Sequence, residues 1–190
     1  MEIETVNETD DVLELEISGI NEAIANSLRR AMIVKVPTLA VQELEVSKNK
    51  SGLIDEIIAN RVGQVPLTIP EDMDKETTVH IALSQEGPGT VLAEDLKADI
   101  EEVEPVNPEA IIVDLKEDQG LDFEATAVLG TGEEHAKHQG GTVGYEKVDD
   151  GTFHFRIEST SGYSNEELVQ EAIDIIKAEL DEFEEAVDEL

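Results

Sequence analysis

The sequence contains no cysteine, few aromatic residues (3%) and only 13 lysines and arginines among 190 residues. Without cysteine there is no disulfide, no thiol nucleophile and no thiolate-bound zinc or iron–sulfur cluster. Scarce cations argue against direct nucleic-acid binding, because affinity for phosphates rests on clustered lysine and arginine. No apolar run approaches the roughly 20 residues that span a bilayer. The amino terminus, Met1-Glu2-Ile3-Glu4, also lacks the basic and apolar parts of a secretion signal. These absences predict a soluble, cytoplasmic protein.

What the chain has instead is acid. Its 46 aspartates and glutamates give a formal net charge of -33, yet 39% of its residues are hydrophobic, enough to build a core in one domain or two small ones. Self-repulsion on that scale disfavours the compact state in dilute buffer. Molar salt relieves it, since the screening length falls to roughly 3 Å near 1 M. Carboxylates spread along the whole length therefore suit a salt-rich cytoplasm first and a functional acidic surface second.

The hydrophobic pattern predicts a mixed α+β fold. Leu13, Leu15 and Ile17 alternate with Glu14, Glu16 and Ser18, the period of a half-buried strand. Asn21 can cap a first helix in which Ile24, Leu28 and Ala31 recur at i, i+4 and i+7, ending by about Val36 because of Pro37. Leu39, Val41 and the stretch from Leu44 to Val46 read as extended. Ser51 can cap a second helix carrying Ile54, Ile57, Ile58 and Val62, closed by Gly63 and Pro66. Short strands then dominate, around Val79–Leu83, Ile111–Val113, Phe123–Ala127, Thr142–Lys147 and Phe153–Ile157, with turns at Glu86-Gly87-Pro88-Gly89, Asn107-Pro108 and Gly140-Gly141.

The final element has the strongest period. Ser164 and Glu167 form a capping box, and Val169, Ile173, Ile176, Leu180, Phe183, Val187 and Leu190 then step by alternating fours and threes. Leu168, Ala172 and Ile175 widen the first half of this seam, so the early turns suit a sheet and the later ones a narrow stripe. Little chain follows to cover Phe183, Val187 and Leu190. Two readings stand: a helix packed wholly on its own sheet, or one whose end is buried by a second chain, which is the reading favoured.

No active site is marked. The glycines of Leu129-Gly130-Thr131-Gly132 and Gln139-Gly140-Gly141 lack the ending of a phosphate loop and read as turns. Glu71-Asp72-Met73-Asp74 lacks the turn glycine and closing glutamate of a calcium loop. His135 and His138, with Glu133 and Glu134 beside them, could in principle hold a metal, and a metal-dependent hydrolase is the alternative reading from another class. No nucleophile stands out, and no cofactor is expected.

Three of the four arginines sit in Asn26-Ser27-Leu28-Arg29-Arg30-Ala31 and Asp55-Glu56-Ile57-Ile58-Ala59-Asn60-Arg61-Val62-Gly63. The guanidinium is a planar fork that fits carboxylates and carbonyls, so Arg29-Arg30 reads either as an anchor for a partner or acidic cluster, or as a helix surface solvated by its own glutamates. The two segments, with Val36-Pro37-Thr38-Leu39-Ala40 after the first and Gln64-Val65-Pro66-Leu67 after the second, resemble the paired motifs of the alpha-like RNA polymerase subunits, most of all the archaeal D-type members. Glu86-Gly87-Pro88-Gly89, the His135-to-Gly141 loop and Phe153-to-Ser159 before a long helix are similar to that family in the same order.

The resemblance implies a non-catalytic assembly scaffold in transcription, with no catalytic residues of its own. It implies a discontinuous dimerisation domain, residues 1–45 and 148–190, interrupted by a strand-rich inserted domain, 46–147. The dimerisation domain would pair with a small alpha-like subunit, called L in archaea, through Ile24, Leu28, Ala31, Ile176, Leu180, Phe183, Val187 and Leu190. An alpha-type homodimer sharing the same seam is the third possibility. Asn26, Arg29, Arg30 and Arg61 would face a large catalytic subunit, with small subunits N and P nearby. Asn60 stands where many relatives have histidine, and the cysteines that ligate an iron–sulfur cluster in many archaeal members are missing.

Overall fold

The computed structural model describes residues 1–71 and 73–188. In chain order the elements are β1 (Glu2–Glu8), β2 (Leu13–Ser18), α1 (Glu22–Arg30), β3 (Thr38–Asn49), α2 (Asp55–Gly63), β4 (Thr78–Glu86), β5 (Gly89–Leu92), β6 (Lys97–Ala98), β7 (Ile111–Leu115), β8 (Gly120–Gly130), β9 (Gly141–Asp149), β10 (Thr152–Ser159) and α3 (Asn165–Asp188). They form two compact units: residues 1–37 with 131–190, and residues 38–130. The fold is therefore α+β, with antiparallel sheets and one unit interrupting the other.

The first unit holds a sheet in the order β1-β2-β10-β9. Leu13, Leu15 and Ile17 on β2 and Phe153, Phe155 and Ile157 on β10 are all buried. Burying each such side chain stabilises by about 1.5–3 kcal/mol. Leu168 and Ala172 of α3 are the residues of that helix that close this core. Strand β1, which the sequence period does not reveal, pairs with β2 but has every residue exposed, so its apolar members carry no burial signal.

Helix α1 starts as its sequence dictates: the Asn21 side chain accepts a hydrogen bond from the Ile24 amide at 3.0 Å, satisfying an orphan donor. Regular helix ends at Arg30 and gives way to a π-helical turn, Ala31–Lys35, closed by Val36 N–H donating to the Ala31 carbonyl at 3.2 Å. The widened turn leaves carbonyls to be satisfied elsewhere. Ile33 accepts from the Gly140 amide at 3.1 Å and Val34 from the Glu133 amide at 3.2 Å. Gly140 is obligatory in this clasp, because a Cβ there would collide with the Met32 carbonyl oxygen and lie 2.7 Å from a Leu168 methyl.

The second unit has a sheet in the order β3-β8-β4-β6, a smaller β5-β7 pair, and α2. Phe123, Leu121, Ile81, Leu39 and Ile112 lie in its core with Ile58 and Val62 from α2. On β3 the pairing with β8 slips at Gln42 and again at Ser47, each an extra residue that forms a bulge.

One expectation changes. Ser51 does not cap α2: it sits in a turn bonded to the Asn49 side chain at 2.7 Å, and the helix begins at Asp55 after an extended Ile54. Asn49 out-competes the helix start, since its side chain also reaches the Asp55 carboxylate at 2.6 Å. The compact units divide at 37/38 and 130/131. The cause is strand pairing: β3 is one 12-residue strand whose partner is β8, whereas β9 pairs with β10. Leu190, the expected last residue of the apolar seam, lies outside the described residues.

Candidate partner-docking surfaces

Helix α3 begins with the expected capping box. The Ser164 amide donates to the Glu167 carboxylate at 2.8 Å and the Glu167 amide donates to Ser164 Oγ at 3.2 Å. Its first turns pack on the sheet, with Leu168 and Ala172 fully buried and Val169, Ile175 and Ile176 partly so. Its later turns leave the sheet behind. Leu180, Phe183 and Val187 are 62%, 69% and 47% exposed and fall on one stripe, while Ile24 on α1 is 50% exposed and Leu28 half-buried. Of the expected dimerisation residues Ala31, which opens the π turn, is buried in its own core, and Ala25 is the buried residue of α1 itself.

The arginines divide by environment. Arg29 donates from Nε and Nη2 to the Asn26 side-chain oxygen, at 3.4 and 3.1 Å, so Asn26 aims the guanidinium along α1. Arg30 is exposed beside it. Among the described residues neither arginine forms an ion pair, which is notable in a chain so rich in carboxylates. Arg61 belongs to the other unit and donates to the Ile112 carbonyl at 2.7 Å, tying α2 to β7. It thus has a structural partner that the sequence motif does not disclose.

The fourth arginine is spent internally. Arg156 on β10 bonds Glu158 at 2.6 Å and Glu14 across the strands at 3.2 Å, and the Glu158 bond raises its pKa. Lys147 bonds Glu22 at 2.7 Å, and this hydrogen bond is the main reason the Glu22 carboxyl titrates below its usual range. The Arg156–Glu14 pair follows from strand register and the Lys147–Glu22 pair from the packing of α1 beside β9, neither of which a linear motif carries.

His135 and His138 do not assemble a metal site. His135 Nδ1 accepts from the Lys137 amide at 3.1 Å, Glu134 turns back to the Thr131 amide at 2.8 Å, and His138 is buried at 2% exposure. Among the described residues no three histidine, aspartate or glutamate side chains converge as metal ligands. The loop's work is the clasp around the π turn, and burial lowers the pKa of its Lys137. In the second unit the outer sheet face bears an open groove of about 510 Å³ that includes Glu43, Glu45, His80, Lys97 and Glu124, with Glu45 directly opposite Glu124. Among the described residues no helix is long and apolar enough to cross a membrane.

The chain thus has an interrupted α+β fold with exposed apolar and arginine surfaces. Residues 34–151 match the family profile described as the RNA polymerase Rpb3/RpoA insert domain. The chain is 47% identical over 133 residues to DNA-directed RNA polymerase subunit Rpo3 of Natronomonas pharaonis, covering 70% of this chain and 54% of that protein. It is 42% identical over 153 residues to the Rpo3 of Pyrococcus furiosus, covering 77% and 59%. It is 33% identical over 240 residues to that of Halobacterium salinarum, covering 98% and 97%. The chain belongs to the alpha-like RNA polymerase subunit family, in its archaeal Rpo3, or D-type, branch. It spans little more than half the length of the Natronomonas and Pyrococcus relatives it matches. The halophile relatives fit the acidic composition.

Proposed function

We propose that this chain is a non-catalytic assembly scaffold of DNA-directed RNA polymerase. Its discontinuous unit pairs with a small alpha-like subunit of the L type, through Ile24 and Leu28 on α1 and through Ile176, Leu180, Phe183 and Val187 on α3, while Ala31, buried in its own core, supports that face from beneath. The pair then captures a large catalytic subunit, with Asn26, Arg29 and Arg30 on α1 and Arg61 on α2 contributing contacts, and subunits N and P assemble nearby. The reading is supported above all by the α3 stripe, three large apolar side chains about half or more exposed on the end of a helix that its own sheet does not cover. The paired arginines support the second step, because an unneutralised guanidinium offers carboxylates and carbonyls a ready fork.

Co-expression with the small alpha-like subunit, followed by mass measurement in molar salt, tests it. A one-to-one complex is expected. A stable, monodisperse monomer that ignores the small subunit overturns the proposal, and an assembly of two copies of this chain alone favours the homodimer instead.

A further inference from the structure

The end of α3 also states what its partner must look like. Leu180, Phe183 and Val187 take the a, d and a positions of a heptad seam, so Lys177, Glu179, Glu184 and Ala186 are the flanking e and g residues. Lys177 is bonded to Asp174 at 2.9 Å and Glu179 to Lys35 at 2.5 Å. Among the described residues Glu184 has no ion-pair partner, which leaves it as the one uncompensated charge lining the stripe. Phe183, immediately before it, is the most exposed member of the stripe at 69%.

A second feature points the same way. Among the described residues the last turn of α3 carries no basic residue. Asp181, Glu184, Glu185 and Asp188 also stand at i, i+3 and i, i+4 spacings, where like charges repel. The helix end is thus deficient in positive charge on its flank and at its terminus, and nothing among the described residues of its own unit supplies it.

We propose that the surface which covers this stripe is an apolar seam edged with lysine or arginine, one of whose cations meets Glu184 while others face the acidic terminal turns. The inference rests on the scaffold reading and specifies the small subunit's contacting face. A second copy of this chain offers the seam only Lys177, already bonded to Asp174, against the carboxylates of Glu179, Glu184 and the later turns, so the same feature favours a hetero-partner.

Charge reversal in the co-expressed complex tests it. Dissociation constants for complexes bearing Glu184→Gln, Glu184→Lys and the outward-facing Glu182→Lys are measured at the lowest salt that keeps the chain folded, with helix content checked by circular dichroism. Glu184→Lys is expected to weaken pairing about tenfold, Glu184→Gln by about threefold and Glu182→Lys by less than about twofold. Both lysine variants relieve repulsion inside the free helix, so lost folding does not mimic the result. Tighter or unchanged pairing for Glu184→Lys overturns the cation-edged seam while leaving the scaffold intact. Absence of any complex with the unaltered chain, at every salt concentration, overturns the scaffold reading and this inference together.

Discussion

Lys35 grips both carboxylate oxygens of Glu179, at 2.5 and 2.6 Å, joining the π turn that follows α1 to the middle of α3. From Leu180 to Asp188 every residue of the helix is exposed. The pair is therefore the last tether before the apolar stripe, and it sets the direction in which that stripe leaves its own unit.

Removing the tether should act locally. Both side chains are partly exposed, at 31% and 50%, so Lys35→Ala is expected to cost less than about 1 kcal/mol of global stability. Amide exchange from Ile176 to Glu182 should nevertheless accelerate, and Glu179→Gln should reproduce the effect. Unaltered exchange in both variants would show that the contact does not hold the helix.

Phe183→Asp separates folding from pairing. Because Phe183 is 69% exposed, the isolated chain should keep its stability to within about 0.5 kcal/mol. Pairing with the small subunit should fall at least about a hundredfold, since a buried carboxylate without a partner is strongly disfavoured. Titration of the variant against the small subunit measures this, and near-normal affinity would remove the stripe from the interface.

Arg29 and Arg61 should part company. Arg61→Ala deletes the donor to the Ile112 carbonyl and is expected to lower stability by about 1 kcal/mol, seen as an earlier urea midpoint in high salt. Arg29→Ala loses only a surface bond to Asn26 and should stay within about 0.5 kcal/mol of the parent. Capture of the large subunit by the preformed pair, read by pull-down, should weaken for Arg29→Ala. An unfolded Arg29 variant, or one with full capture, contradicts its placement in the docking set.

Tyr163 provides an alkaline marker of the first unit. Burial, followed by the charges of Glu171 and Glu167, pushes its phenol from 10.0 up to about 12. The folded state therefore retains a proton that the unfolded chain has begun to lose. Stability is unaffected below about pH 10, falls between about 10 and 12, and falls no further from this source above that. Phenolate absorbance of the folded chain should include a late titration that Tyr163→Phe removes, together with part of the alkaline loss. No late titration, or one that persists in Tyr163→Phe, would contradict the burial of this phenol.

The parts of this fold that are legible in the sequence are those governed by local period and capping. The alternation of Leu13, Leu15 and Ile17, the Asn21 cap, the Ser164–Glu167 box and the change in α3 from a broad apolar face to a narrow stripe all read directly. Less legible are features that depend on distant chain. Strand β1 buries none of its residues in this chain, so no alternation of buried and exposed positions marks it. Ser51 has the setting of a helix cap, but Asn49 takes both Ser51 and Asp55. The division into compact units follows from a continuous β3 that finds its partner about 80 residues away, a pairing that periodicity does not encode. At the candidate site the arginine motifs are visible, but only coordinates separate Arg61, engaged with a carbonyl, from Arg30, which stands open.

The two extra residues in β3 have a bearing on how this polypeptide survives at high concentration. This is the outermost strand of its sheet, and Gln42 and Ser47 interrupt its ladder five residues apart. A foreign strand seeking to extend the sheet meets no regular stretch long enough to template a fibril. Excising both would straighten that border, and the expected consequence is amyloid-like stacking once molar salt screens the chain's own charge.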